Sequence, residues 1–131
     1  MANRRDERAD RAFFESEYSR HWSGSARQVE LVALGHEVGL NGYTTVPEAH
    51  VLSEQVVLLP GSFLLDVGAG RGWPGPYVAQ VHGARLISTD IPWHALLKAK
   101  ADSTGVVAAD GRALPLQTGG VAAIVHADVL C

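Results

Sequence analysis

Cysteine occurs once in the 131 residues, at Cys131. An intramolecular disulfide and a structural zinc site built on thiolates are both excluded, and a reducing compartment, the cytoplasm, is the simplest fit. Long apolar runs are missing too: no stretch approaches the ~18 residues that a membrane span requires. The N-terminal stretch MANRRDERADRAFFESEY is charged throughout, where a signal peptide would carry an apolar core. Basic charge is scarce, 11 Lys and Arg against 14 Asp and Glu for a net −3, and no dense basic block lies outside the N-terminus. A nucleic-acid partner therefore gains no electrostatic support. The six histidines show no short spacing that would gather metal ligands, and no metal site is expected. His21, His36, His50, His82 and His94 read as surface or internally satisfied side chains. Internal repeats and low-complexity segments are absent as well.

What remains, 47% hydrophobic residues in a chain of this length, suits one sizeable core. The first part of the chain, residues 1–60, reads as helical. Residues 3–20 interleave Arg with Asp and Glu at helical spacing (Arg4 with Glu7, Glu7 with Arg11, Arg11 with Glu15), the pattern of a solvated helix or frayed arm. SARQVELVALGHEVGL places Val29, Val32, Ala33 and His36 on one stripe, with Gly39 as its C-terminal stop. In TVPE, Thr45 is an N-cap, Pro47 stands early in the helix, and Glu48 completes a capping box for a helix that closes before Pro60.

Beyond Gly61 the pattern changes to short apolar bursts separated by helical or glycine-rich stretches, the alternation of an α/β parallel sheet. Strands are expected at 62–67, 85–89, 106–109 and 121–126, with helices at 74–81 and 92–101. DGRALPLQTGG, between the last two strands, is too punctuated for a full crossover helix. The glycine-rich segment LLDVGAGRGWPG joins the first strand to its helix, where backbone without Cβ atoms lets a ligand approach a helix N-terminus. Two registers compete. Gly70, Gly72 and Gly75 satisfy the dinucleotide pattern G-x-G-x-x-G, which implies an NAD-dependent oxidoreductase, but Pro74 would then sit inside the phosphate-binding turn. Gly68, Gly70 and Gly72 preceded by Asp66 fit the strand better. A non-catalytic nucleotide-binding module is the reading of a different class. Arg71 reads as an exposed, solubilising side chain, and Trp73 as either a shield for the ligand or packing for the helix.

FLLDVGAGRG resembles the first motif, D/E-x-G-x-G-x-G, of the class I S-adenosylmethionine-dependent methyltransferases (type 11-like), and the likeness runs in order over about residues 61–130. The resemblance implies a Rossmann-like sheet, of which this chain carries strands in the order 3-2-1-4 with N-terminal helices, residues 61–131 being a partial S-adenosylmethionine-binding domain. It implies that Asp66, Gly68, Gly70 and Gly72 hold the methionine portion of the cofactor. Asp90, 22 residues after Gly68, would accept the ribose hydroxyls, with Ile91 beside it. Asp110 and Gly111 fall where the family meets the adenine amino group and ring. VAAIVHADVLC matches the fourth strand and its exit, at the edge of the methyl-transfer site, which places His126 and Asp128 as candidate catalytic residues. No D/N-P-P-Y/F follows that strand, which disfavours amino-methylating nucleic-acid enzymes and leaves a small-molecule acceptor as the expected partner.

The family's sheet has seven strands, ordered 3-2-1-4-5-7-6, and residues 61–131 supply four of them. A truncated domain is expected, a fragment or an open reading frame cut short, with the acceptor pocket incomplete and self-association through the exposed edge of the fourth strand.

Overall fold

The computed structural model describes residues 4–19, 23–35, 37, 43–127 and 129. Four strands, β1 (Phe63–Val67), β2 (Arg85–Asp90), β3 (Gly105–Ala108) and β4 (Ala123–Val125), form one parallel sheet in the order β3-β2-β1-β4. Among the described residues five α-helices accompany it: α1 (Arg4–Ser19), α2 (Gly24–Leu34), α3 (Val46–Gln55), α4 (Gly75–His82) and α5 (Trp93–Ala99). The fold class, the strand order and the positions of the elements match the sequence reading to within a few residues.

The middle of β1 is buried as a continuous run, Leu64, Leu65 and Asp66, because a central parallel strand is covered on both faces. Crossovers β1-α4-β2 and β2-α5-β3 step the same way along the sheet, and their shared right-handedness sets α4 and α5 on the same face. Leu64, Leu86, Val78 and Val125 form the heart of the core, with Leu58 and the partly buried Leu52 of α3 packed against them. Ala95, Leu96 and Ala99 bury the inner side of α5. The β3–β4 connection contains turns and no helix, as its punctuation requires.

The capping box of α3 is complete: the Glu48 backbone N–H donates to Thr45 Oγ1 at 3.4 Å, and the Thr45 N–H donates to Glu48 Oε2 at 2.7 Å. The helix ends at Gln55, and an extended segment carries the chain on to Pro60.

Two expectations need correction. In α2 the apolar stripe is not buried: Val29 is 69% and Val32 84% exposed, while the buried side chain is Glu30. The helix also stops earlier, at Leu34, because Gly35 takes the left-handed C-cap conformation (φ 76°) and returns its N–H to the Leu31 carbonyl at 2.9 Å. His21, His36 and Gly39 lie outside the described residues.

These burials set a contrast that urea denaturation can read. Leu86→Ala should destabilise the chain by about 2–5 kcal/mol, the cost of a cavity in a packed core. Val32→Ala, on the uncovered stripe of α2, should stay within about 0.5 kcal/mol of wild type.

Candidate functional site

The site is built at the C-terminal edge of the sheet, where β1 passes into α4. Gly68, Gly70 and Gly72 all have positive φ (70°, 54° and 103°), which a side chain would strain, so the tight turn depends on them. The end of β2 pins this loop. The Gly68 and Ala69 N–H groups donate to the Thr89 carbonyl at 2.8 and 3.0 Å. The Gly70 N–H donates to Asp90 Oδ2 at 2.8 Å, while the Ile91 N–H donates to Asp90 Oδ1 at 2.7 Å. Each carboxylate oxygen keeps a further lone pair for a ligand. Burial pushes the Asp90 carboxyl above its ordinary range, the Gly70 and Ile91 N–H groups oppose that shift, and the charge of Glu15 adds to it.

Asp66 lies beneath the loop. Its side chain is buried, and Oδ2 has no hydrogen-bond partner among the described residues. Burial raises its pKa to about 8, opposed by the Gly75 N–H and reinforced by the nearby charge of Asp90. Gly75 begins α4 directly against this carboxyl, leaving no room for a Cβ.

Asp110 follows β3 and is held by its neighbour: Arg112 Nε lies 3.0 and 3.1 Å from the two oxygens, and Nη2 donates to Oδ2 at 2.6 Å. That guanidinium takes the Asp110 pKa down to about 2. Gly111 sits against the top of β1, where an added Cβ would meet Val67 Cγ1 at 3.1 Å. His126 is exposed at the exit of β4; since Val125 pairs with Asp66, it stands level with the end of β1. Asp128 lies outside the described residues, and the Val129 side chain packs on Gly68. Asp66, Gly68, Gly70, Gly72, Asp90 and Ile91 are thus drawn together around one loop, with Gly111 and His126 at its margins.

Of the other histidines, those among the described residues have partners. His82 Nε2 lies 2.9 Å from the Ser53 carbonyl, and His50 Nδ1 lies 3.2 Å from the Tyr77 hydroxyl. Trp73 packs on the Tyr77 ring and donates its indole N–H to the Thr44 carbonyl at 2.8 Å.

Arg71 corrects another expectation, being 8% exposed. Its guanidinium lies 5.4 Å from the centroid of the Tyr18 ring, and Nη2 donates to the Tyr18 carbonyl at 3.3 Å. The buried Glu30 of α2 contributes a favourable charge. Nor is α1 merely a solvated arm. Glu15 Oε1 accepts the Trp93 N–H at 3.0 Å and Oε2 lies 2.7 Å from His94 Nδ1, joining α1 to the first turn of α5. Sequence reasoning assigned Glu15 to a local charge ladder and gave Tyr18 no role. The available signal was FFESEY, an aromatic and acidic cluster closing a run otherwise rich in Arg.

No protein-family model matches the sequence, and a comparison with curated proteins gives no match. Among solved structures the fold is that of class I S-adenosylmethionine-dependent methyltransferases. One is an RNA methyltransferase from Salinibacter ruber in complex with S-adenosyl-L-homocysteine, 19% identical with a TM-score of 0.54, matched over 63% of this chain and 58% of that one. Another is a complex of the Haloferax volcanii Trm112 methyltransferase activator with a methyltransferase, 15% identical with a TM-score of 0.60, over 86% of this chain and 46% of that one. The chain therefore spans about half the length of these structures. Among the described residues, no helix is long and apolar enough to cross a membrane.

The buried Asp66 makes stability depend on pH. Its folded pKa, about 8, lies above the ordinary 3.8, so between these values the unfolded chain binds fewer protons and stability falls as pH rises. Asp66→Asn keeps the shape and removes the proton. Urea titrations should show its stability advantage growing by on the order of a few kcal/mol between about pH 5 and pH 8.

Proposed function

We propose that this chain is the cofactor-binding part of an S-adenosylmethionine-dependent methyltransferase acting on a small-molecule acceptor. Residues 61–131 make up the binding unit in this reading, and residues 1–60 the helical segment before it. The observation that carries this reading is the hydrogen bond from Gly70 to Asp90, which sets a carboxylate with spare acceptor capacity beside a glycine turn at the end of β2. Such a carboxylate suits vicinal ribose hydroxyls, each of which donates one hydrogen bond.

The same geometry disfavours the dinucleotide register. A Cβ on Gly75, the glycine peculiar to that register, would meet Asp66, so this glycine faces the interior of the protein. Gly68 and Gly70 face Val129 and Tyr18 at the outer end of the sheet. The cofactor fits the residues present on a second count. Asp66 and Asp90 both carry carboxyls destabilised as anions, and the cationic ammonium and sulfonium of S-adenosylmethionine would favour their charged forms.

In this reading Gly68 and Gly70, backed by Asp66, hold the amino-acid end, and Gly72, set against Ala99, shapes the turn behind them. Asp90 takes the ribose hydroxyls with Ile91 alongside, while Asp110 and Gly111 meet the adenine. When bound, the cofactor supplies a methyl group on an activated sulfonium, and the task left to the chain is to position the acceptor and exclude water. His126, at the exit of β4, is the base proposed to take a proton from an amine or hydroxyl acceptor, with Asp128, two residues further on, as the second candidate. β4 stands at the edge of the sheet with Ile124 exposed, which supports pairing of that edge with a further strand or a second copy.

Calorimetry with S-adenosylhomocysteine and with NADH tests the assignment. Binding of the first and not the second is expected, with Asp90→Ala weakening it by at least about tenfold while the circular dichroism spectrum stays unchanged. Binding of NADH alone overturns it.

A further inference from the structure

A glycine turn that runs into a helix binds phosphate through its backbone N–H groups, and in this chain those donors are committed elsewhere. The Gly68 and Ala69 N–H groups go to the Thr89 carbonyl, that of Gly70 to Asp90 Oδ2, and that of Gly72 back to the Ala69 carbonyl at 2.9 Å. The start of α4 adds little. Its N-cap is Pro74 and Pro76 follows Gly75, so within positions 74–77 the N–H groups belong to Gly75 and Tyr77. The Gly75 N–H is bound by the Asp66 carboxyl, which is buried directly against it, with Oδ2 unpartnered among the described residues. Pro76 stands at the turn itself, its Cγ 3.9 Å from the position a Cβ would take on Gly72. Arg71 is the one cation in residues 68–75, and its guanidinium is engaged with the Tyr18 ring and carbonyl.

We infer that Asp66 and Pro76 are specificity-determining residues: they take from the start of α4 the donors and the positive helix end that hold a phosphate, so the site accepts a nucleoside with an uncharged or cationic 5′ group and refuses the matching nucleotide. The inference rests on the reading of the site given above and deepens it, naming the feature by which the site chooses among adenosine ligands. Asp66, once ionised, sets an anion at the helix terminus, where the dipole would otherwise attract one. Pro76 removes the N–H that another residue would present in the first turn. What the turn and the end of β2 offer instead are carboxylate oxygens, which suit hydroxyl donors and positive charge.

Calorimetry on the chain with 5′-methylthioadenosine and with adenosine 5′-monophosphate, which differ in the 5′ group alone, tests the inference at about pH 8.5, above the Asp66 pKa of about 8. Wild type should bind the thioether at least about tenfold more tightly than the phosphate. Asp66→Asn removes the charge and adds a carboxamide donor, and should narrow that ratio by about tenfold; Pro76→Ala restores an N–H, and should narrow it by about threefold. A merely structural disturbance weakens both ligands alike and leaves the ratio where it was. Equal binding of the two ligands by wild type overturns the inference while the reading of the site stands. A ratio unchanged in either variant overturns the role of that residue. A wild-type chain that binds neither ligand overturns the reading of the site, and the inference with it.

Discussion

One hydrogen bond, from the Gly70 backbone to the Asp90 side chain, holds the candidate site together. It ties the turn after β1 to the end of β2, so the glycine loop is fixed by its neighbour strand as well as by its own dihedral angles. The carboxylate responsible is largely buried, and a buried charge is retained at a cost that hydrogen bonds from two backbone N–H groups only partly offset. A ligand that offers further donors or positive charge to Asp90 meets a group already placed and poorly solvated. Preorganisation of this kind favours binding over the same groups on a mobile loop.

Asp66 extends the principle one layer down. It occupies a buried position of β1, where an apolar residue would stabilise the sheet more, and among the described residues one of its oxygens is unpartnered. Placed beneath the turn and against Gly75, it gives the floor of the site a proton-dependent charge. The buried acids of β1 and β2 are poorly solvated as anions, and a cation beside them would relieve that. Asp110 behaves differently, because Arg112 two residues away neutralises it locally and keeps it ionised.

Much of this was legible in the chain itself. The parallel sheet follows from apolar bursts separated by helical stretches, and its order from the resemblance of the glycine segment to the methyltransferase motif. The capping box of α3 was readable because Thr45 and Glu48 satisfy one another within a single turn. The glycine register could be chosen because Pro74 conflicts with the alternative. The α2 stripe misled: periodicity shows that a face is apolar, but whether another element covers it depends on where the helix is packed. Arg71 misled for a related reason, since its burial depends on two helices that lie more than 30 residues away in sequence.

The sequence alone determined the class of fold, the strands, and the loop whose glycines must adopt left-handed angles. These depend on dihedral preferences and periodicities confined to a few neighbouring residues. Only the tertiary structure decided that Glu15 docks on Trp93 and His94, 78 and 79 residues further along the chain, and that Tyr18 lies over Gly70. Those contacts arise from the packing of α1 against α5 and the glycine loop, a sum over many side chains that no local pattern in the sequence records.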